Sequence, residues 1–253
     1  MNIESLEARR LFDASVTHEG SAADTIAAAD SAGVTVTEGY PGFYEIHGTE
    51  ESDLVEVSIN MGQETLTVNG QTYPGVVYVM AYGYGGDDAI IINSEDGIGR
   101  IGASVSAGDG DDMIACTVDG AIWAGPGNDE LTLHHAFRGE AYGEDGNDYM
   151  YISGLTTDAA IYGGGGDDFI DCSSNFYGVV VFGGVGNDTI LGSQYADELH
   201  GEQGQDLLEG NGGNDTFYAW GGGADIINGG SGDDIAYVDA ERDSADAEEI
   251  YYM

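Results

Sequence analysis

From residue 83 onward the chain repeats one alternation: glycines, an Asn or Asp, an Asp, then apolar residues at every second place. The apolar positions two after each aspartate are Ile90, Ile114, Leu131, Met150, Ile170, Ile190, Leu199, Leu208, Phe217, Ile227 and Ala236. Successive side chains of a strand point to opposite faces, so this pattern predicts short strands with one apolar row turned inward, each entered through a glycine-rich turn. Val105, Ile122, Ala141, Ile161 and Val181 sit two before a motif and predict returning strands that complete the same core. The residues next to the early motifs, Tyr82, Ser106, Trp123, Tyr142, Tyr162 and Phe182, alternate outward and stack into an aromatic stripe. Such a stripe serves as a self-association or glycan surface, as a ladder stabilising the coils, or as a face covered by residues 1–35. The ladder or the covered face is preferred to the binding surface.

Eleven copies of the phrase follow one another, among them GYGGDDAII (83–91), AGDGDDMIA (107–115), GEDGNDYMY (143–151), GGGGDDFID (163–171), GGVGNDTIL (183–191) and GGSGDDIAY (229–237). Their sixth-position aspartates are Asp88, Asp112, Asp129, Asp148, Asp168, Asp188, Asp197, Asp206, Asp215, Asp225 and Asp234. The first five gaps are 24, 17, 19, 20 and 20 residues, and from Asp188 onward the gaps are 9 or 10. A nonapeptide is one turn plus one short strand, so two make a coil of about 18 residues. The early copies then place one motif turn per coil, and the later copies place one on each side. This sorts the aspartates onto two edges: Asp88, Asp112, Asp129, Asp148, Asp168, Asp188, Asp206 and Asp225 on one, Asp197, Asp215 and Asp234 on the other.

The phrase approaches the nonapeptide GGxGxDxUx, and over about residues 83–239 the chain resembles the RTX, or haemolysin-type, calcium-binding family. Ala107, Ala124 and Trp220 replace the first glycine, and the seventh copy, GSQYADELH (192–200), has Tyr195 and Ala196 where glycine and Asn/Asp are usual. The resemblance implies a right-handed parallel β-roll, an all-β solenoid of about 18–20 residues per coil, with calcium between consecutive turns on one edge. Eight turns and three turns then give about nine ions, held by the eleven aspartates and by the turns of Gly110, Gly127, Gly146, Gly166, Gly186, Gly204, Gly213 and Gly232. Calcium suits such turns because it accepts six to eight hard oxygens in flexible geometry, backbone carbonyls included. Glycine lets those carbonyls converge at positive φ.

Charge raises the stakes. The 253 residues carry 47 acids and five bases, a formal net charge of −42. Self-repulsion on that scale opposes compaction unless cations are recruited. It excludes neutralising nucleic-acid phosphates, and no apolar run is long enough to span a bilayer.

The ends differ from the middle. Residues 1–35 are expected to form a short helix and a linker. Within them, Leu6 to Phe12 resembles the LEPR-XLL segment of large bacterial surface and repeat proteins, with Ala8 in place of proline. Residues 36–82 are expected to form a strand-rich cap. It contains a hairpin at Asn69-Gly70 and a worn motif copy, GTEESDLVE (48–56), whose Asp53 precedes Asp88 by 35 residues, close to two coils. Residues 240–253 are expected to be an acidic tail.

Cys116 and Cys172 fall at inward positions three coils apart, about 14 Å at about 4.8 Å per strand. That exceeds the roughly 7 Å a disulfide allows, so both are expected to be free buried thiols. There is no HExxH or GxSxG phrase, and His134 and His135, adjacent on a strand, point to opposite faces. A catalytic role is not expected. The expected function is calcium binding coupled to folding, in an extracellular or surface structural or adhesive module. The alternatives are the secretion and folding portion of a larger RTX enzyme, and a self-assembling or glycan-binding protein using Trp123, Tyr142, Tyr162 and Phe182.

Overall fold

The computed structural model describes residues 32–60, 62–94, 102–134, 139–154, 160–239 and 242–252. The expected N-terminal helix and the LEPR-XLL-like segment lie outside them. Among the described residues every regular element is a strand, and the strands form two twelve-stranded sheets. The chain passes from one sheet to the other and back, so that each strand pairs in parallel with the strand one coil later. Gly102 thus pairs with Asp119, and Ala160 with Val180, coils of 17 and 20 residues. This is a parallel β-roll.

The alternation in the sequence explains the core. Ile90, Ile114, Leu131, Met150, Ile170, Ile190, Leu208 and Ile227 face inward from one sheet, and Val105, Ile122, Ala141, Ile161, Val181, Leu199, Phe217 and Ala236 from the other; all belong to one buried cluster. Register places like on like: Met150 beside Ile170, Ile170 beside Ile190. Each coil buries little alone, so stability accumulates between neighbours. A smaller apolar cluster, Ala89, Ile91 and Met113 with Leu54 and Ala115 packed against it, lies apart from the main core. Cys116 and Cys172 are free and buried.

The N-terminal cap is built into the roll. The strands Phe43–His47 and Leu54–Asn60 already pair in parallel with Tyr78–Gly85 and Ala89–Ser94. The 35 residues from Asp53 to Asp88 are therefore one coil rather than two, because a hairpin projects from it. That hairpin joins Thr65–Val68 to Gln71–Pro74 through Asn69 and Gly70, both at positive φ (46° and 82°), as a two-residue turn of type I′ requires. The Asn69 side chain ties the hairpin down, accepting from Glu56 N–H and donating to the Leu54 carbonyl. Thr65–Val68 lies antiparallel on Leu54–Asn60, and Thr35–Tyr40 lies antiparallel on Phe43–His47. Both parallel stacks thus start behind an antiparallel strand, which shields their open backbone groups.

At the other end, Ser244–Asp246 and Glu249–Tyr252 join the two sheets in parallel. The acidic segment after the last motif copy therefore contributes a further partial coil.

Candidate metal centre

The glycine-rich turns stack in two columns along the edges of the roll. In the first, the backbone N–H of each aspartate donates to Oδ1 of the aspartate one coil later. The chain of bonds runs from Asp53 through Asp88, Asp112, Asp129, Asp148, Asp168, Asp188 and Asp206 to Asp225, every step 2.7–2.9 Å. It ends on Asp243 at 3.1 Å. In the second column Val179 donates to Asp197, Asp197 to Asp215, and Asp215 to Asp234. Asp234 then donates to the Glu248 carboxylate. The eleven motif aspartates thus fall on the two edges that their spacing implies, with Asp53 and Asp243 extending the first.

One carboxylate oxygen per aspartate is thereby used. The other, Oδ2, is buried and without a hydrogen-bond partner in Asp88, Asp112, Asp129, Asp148, Asp168, Asp188, Asp206, Asp215 and Asp225. A buried anionic oxygen left so is costly. Its surroundings make matters worse. A Cβ placed on Gly143 would meet both Asp148 Oδ2 and the Gly163 carbonyl, and one on Gly163 would meet both Asp168 Oδ2 and the Gly183 carbonyl. At Gly210 the pair is Asp215 Oδ2 and the Gly229 carbonyl. Two acceptors, one charged, thus converge with no donor between them. That arrangement calls for a cation.

The carboxyl groups register the same strain. Burial pushes Asp112 and Asp129 up to about 8, and Asp88, Asp168, Asp188 and Asp215 to about 7, with the Asp N–H bonds pulling the other way. Asp148 and Asp225 rise to about 6 for the same reason. Without a counter-ion these loops can reduce their charge only by taking up protons.

The donor set narrows the ion. Among the described residues no three His, Cys, Asp or Glu side chains gather into a metal-holding group, so a site here consists of a carboxylate supplemented by backbone carbonyls. Hard oxygens with few fixed charges and flexible geometry suit calcium better than zinc or magnesium.

Glycine identity follows from the close stacking of coils. Gly110, Gly127, Gly146, Gly166, Gly186, Gly204, Gly213 and Gly232, at the fourth position, all have φ between 122° and 155°. A Cβ on any of them would strike the backbone of the previous loop in the same column, as at Gly146 against the Gly127 carbonyl.

Two further features of the turns were not evident from the motif. The fifth-position side chains form an outer ladder parallel to the aspartate column: Asn147 N–H donates to Asn128 Oδ1, Asp167 N–H to Asn147 Oδ1, and Asn187 N–H to Asp167 Oδ1. Their preference for Asn or Asp at that place was the available signal. In the loops with a donorless Oδ2 the second-position residue adopts positive φ even when it is not glycine. Tyr84 (83°), Glu144 (78°), Glu202 (67°) and Asn211 (66°) all sit there, and non-glycine residues in that region carry strain that tends to mark functional loops.

Asp197 departs from the pattern expected of a metal ligand. Its Oδ2 accepts from the N–H of Ser193 at 2.6 Å, and its Oδ1 from the Ser193 hydroxyl. At Asp53 the N–H and the hydroxyl of Thr49 both bond to Oδ2.

The RTX calcium-binding nonapeptide repeat model matches four copies in the chain, at residues 160–171, 182–217 and 221–245. No curated protein matches the chain. The matched segments hold Asp168, Asp188, Asp197, Asp206, Asp215, Asp225 and Asp234, and the earlier loops at Asp88, Asp112, Asp129 and Asp148 stand in the same hydrogen-bonded column as Asp168, Asp188, Asp206 and Asp225.

Proposed function

The stacked turns being RTX calcium-binding repeats on a β-roll, we propose that the chain is a folding module driven by calcium, with about nine ions along its two edges. The observation that carries this reading is the set of nine buried aspartate oxygens without a donor. One ion facing each would bring about +18 against the formal charge of −42, easing the self-repulsion of the compact state. Calcium, when bound, supplies the positive charge that these oxygens and the converging carbonyls lack. The chain's own residues do the rest: the aspartates tie coil to coil through Oδ1, and the glycines bring the carbonyls close.

Binding and folding are then one equilibrium, because the ligands meet only when adjacent coils stack. Millimolar calcium outside cells would fill sites that cytosolic levels leave empty, so the chain would fold after export. This supports a secreted or surface-located structural module of bacterial type. Among the described residues no helix is long and apolar enough to cross a membrane. The module is proposed as structural rather than catalytic. His134 is bonded to Ser153 and His200 to Glu198, and the interior between the sheets holds one cluster of buried apolar side chains.

The test is circular dichroism during a calcium titration, with magnesium as control. Strand signal should grow cooperatively with calcium and not with magnesium. Equal strand content in excess chelator and in millimolar calcium would contradict the reading.

A further inference from the structure

Each column opens on a loop unlike the glycine-motif loops that follow it. The first begins at Asp53 in Gly48-Thr49-Glu50-Glu51-Ser52-Asp53, the second at Asp197 in Gly192-Ser193-Gln194-Tyr195-Ala196-Asp197. In the loops with a donorless Oδ2 the second-position residue has positive φ: Tyr84, Gly108, Gly125, Glu144, Gly164, Gly184, Glu202, Asn211 and Gly221. Thr49 and Ser193 occupy the same place and do not adopt it. The difference in backbone turns an N–H inward. Thr49 N–H bonds to Asp53 Oδ2, and Ser193 N–H to Asp197 Oδ2. The hydroxyls add a second bond each, Thr49 Oγ1 to Asp53 Oδ2 at 2.8 Å and Ser193 Oγ to Asp197 Oδ1 at 2.9 Å. Each hydroxyl also receives a backbone N–H, from Glu51 and from Tyr195, closing the loop on itself.

The residue types explain the switch. Thr is β-branched and strongly disfavours positive φ, and Ser and Thr side chains bond readily to nearby backbone. Both loops also carry a side chain, Glu51 or Tyr195, where the others have glycine at the fourth position. Neither aspartate is left with the bare buried oxygen that marks nine of the other loops.

We propose that the Asp53 and Asp197 loops are metal-free staples, in which a hydroxyl and an N–H from the second-position residue occupy the carboxylate that binds calcium elsewhere. Calcium loading then begins at Asp88 in the first column and at Asp215 in the second, each stacked against a loop that the protein closes by itself. The inference rests on the calcium reading above and specifies which of its loops are excluded.

Native mass spectrometry in calcium counts the ions directly, and denaturant unfolding in saturating calcium reports stability. Ser193→Ala should lower the unfolding midpoint and leave the ion count of the wild type unchanged. The triple variant Ser193→Gly, Tyr195→Gly, Ala196→Asn restores the repeat phrase and should add one ion. Thr49→Val should behave as Ser193→Ala does. A loss of one ion in Ser193→Ala, or an unchanged count in the triple variant, would overturn the proposal while leaving the calcium reading intact. A wild-type chain that takes up no ion would instead sink the calcium reading, and the staple assignment with it.

Discussion

Tyr142 and Tyr162, one coil apart, stack with ring centroids 4.7 Å apart and planes 6° from parallel. They belong to a ladder on the outer face of one sheet. On one side Trp123 lies 6.0 Å from Tyr142. On the other, Phe182, His200, Tyr218, Tyr237 and Tyr251 follow at 4.3–5.2 Å. Inside such a stack each ring presents its faces to its neighbours and only its edge to solvent. Sugar recognition by stacking needs free faces, so the arrangement favours a stabilising ladder over a glycan platform. Tyr142→Ala should cost about 1–3 kcal/mol, from two stacking contacts of about 0.5–1.5 kcal/mol each. Tyr142→Phe should be close to neutral, since its hydroxyl bonds only the exposed Glu140. Denaturant unfolding in saturating calcium measures both, and equal losses for the two variants would contradict the ladder.

Asp168 holds the coil before it and, under the calcium reading, an ion. Asp168→Ala removes the acceptor of the Asp148 N–H, leaving a buried donor unmet at about 1–3 kcal/mol. Asp168→Asn keeps a carbonyl oxygen for that bond but loses the charge. The expected order of stability in calcium is wild type, then Asn, then Ala, with both variants binding fewer ions. Calorimetric titration and unfolding together check the order. An Asn variant with the wild-type ion count would be incompatible with a calcium role for this carboxylate.

Acid should partly replace calcium. Burial raises the folded-state carboxyls of Asp112 and Asp129 to about 8 and of Asp168 and Asp188 to about 7, above the ordinary 3.8. A group whose folded value is raised binds more protons folded than unfolded, so its favourable contribution is complete below about pH 4 and fades as pH climbs through 6 to 8. In chelator, strand content should therefore be greater at pH 5 than at pH 8. In calcium, binding should release protons near neutrality and weaken as pH falls from 8 to 6. Titrations in buffers of different ionisation enthalpy would detect the release, and calcium affinity independent of pH over that range would contradict the coupling.

The two thiols report folding. Cys116 and Cys172 are buried, and burial pushes the Cys116 thiol up to about 12 and that of Cys172 well above its ordinary value. Thiolate is the reactive form. A thiol reagent should therefore leave both unmodified in calcium and label both in chelator. Rapid labelling of either thiol in saturating calcium would contradict the packed core at that coil.

Much of this architecture is written in strand periodicity. The inward row from Ile90 to Ala236 and the outward aromatic row follow from alternation at period two, and the sorting of aspartates onto two edges follows from counting residues per coil. The Asn69-Gly70 hairpin was legible because its turn type demands those residues. What escaped counting was insertion. The distance from Asp53 to Asp88 matches two coils in length but is one coil carrying a hairpin, and residue number alone cannot tell these apart. The strands at 244–246 and 249–252 carry no glycine motif, so only pairing with the preceding coil reveals them.

That strands alternate with glycine-aspartate turns, and that those turns demand positive charge, follows from residue order alone, because side-chain alternation and net charge are local and additive properties. Which carboxylate oxygens lack a donor, and which do not, is set by the folded coils. Asp197 and Asp215 occupy the same place in the phrase, yet Ser193 closes one and nothing closes the other. That distinction depends on a backbone torsion and on the approach of neighbouring coils, and neither exists until the coils are stacked.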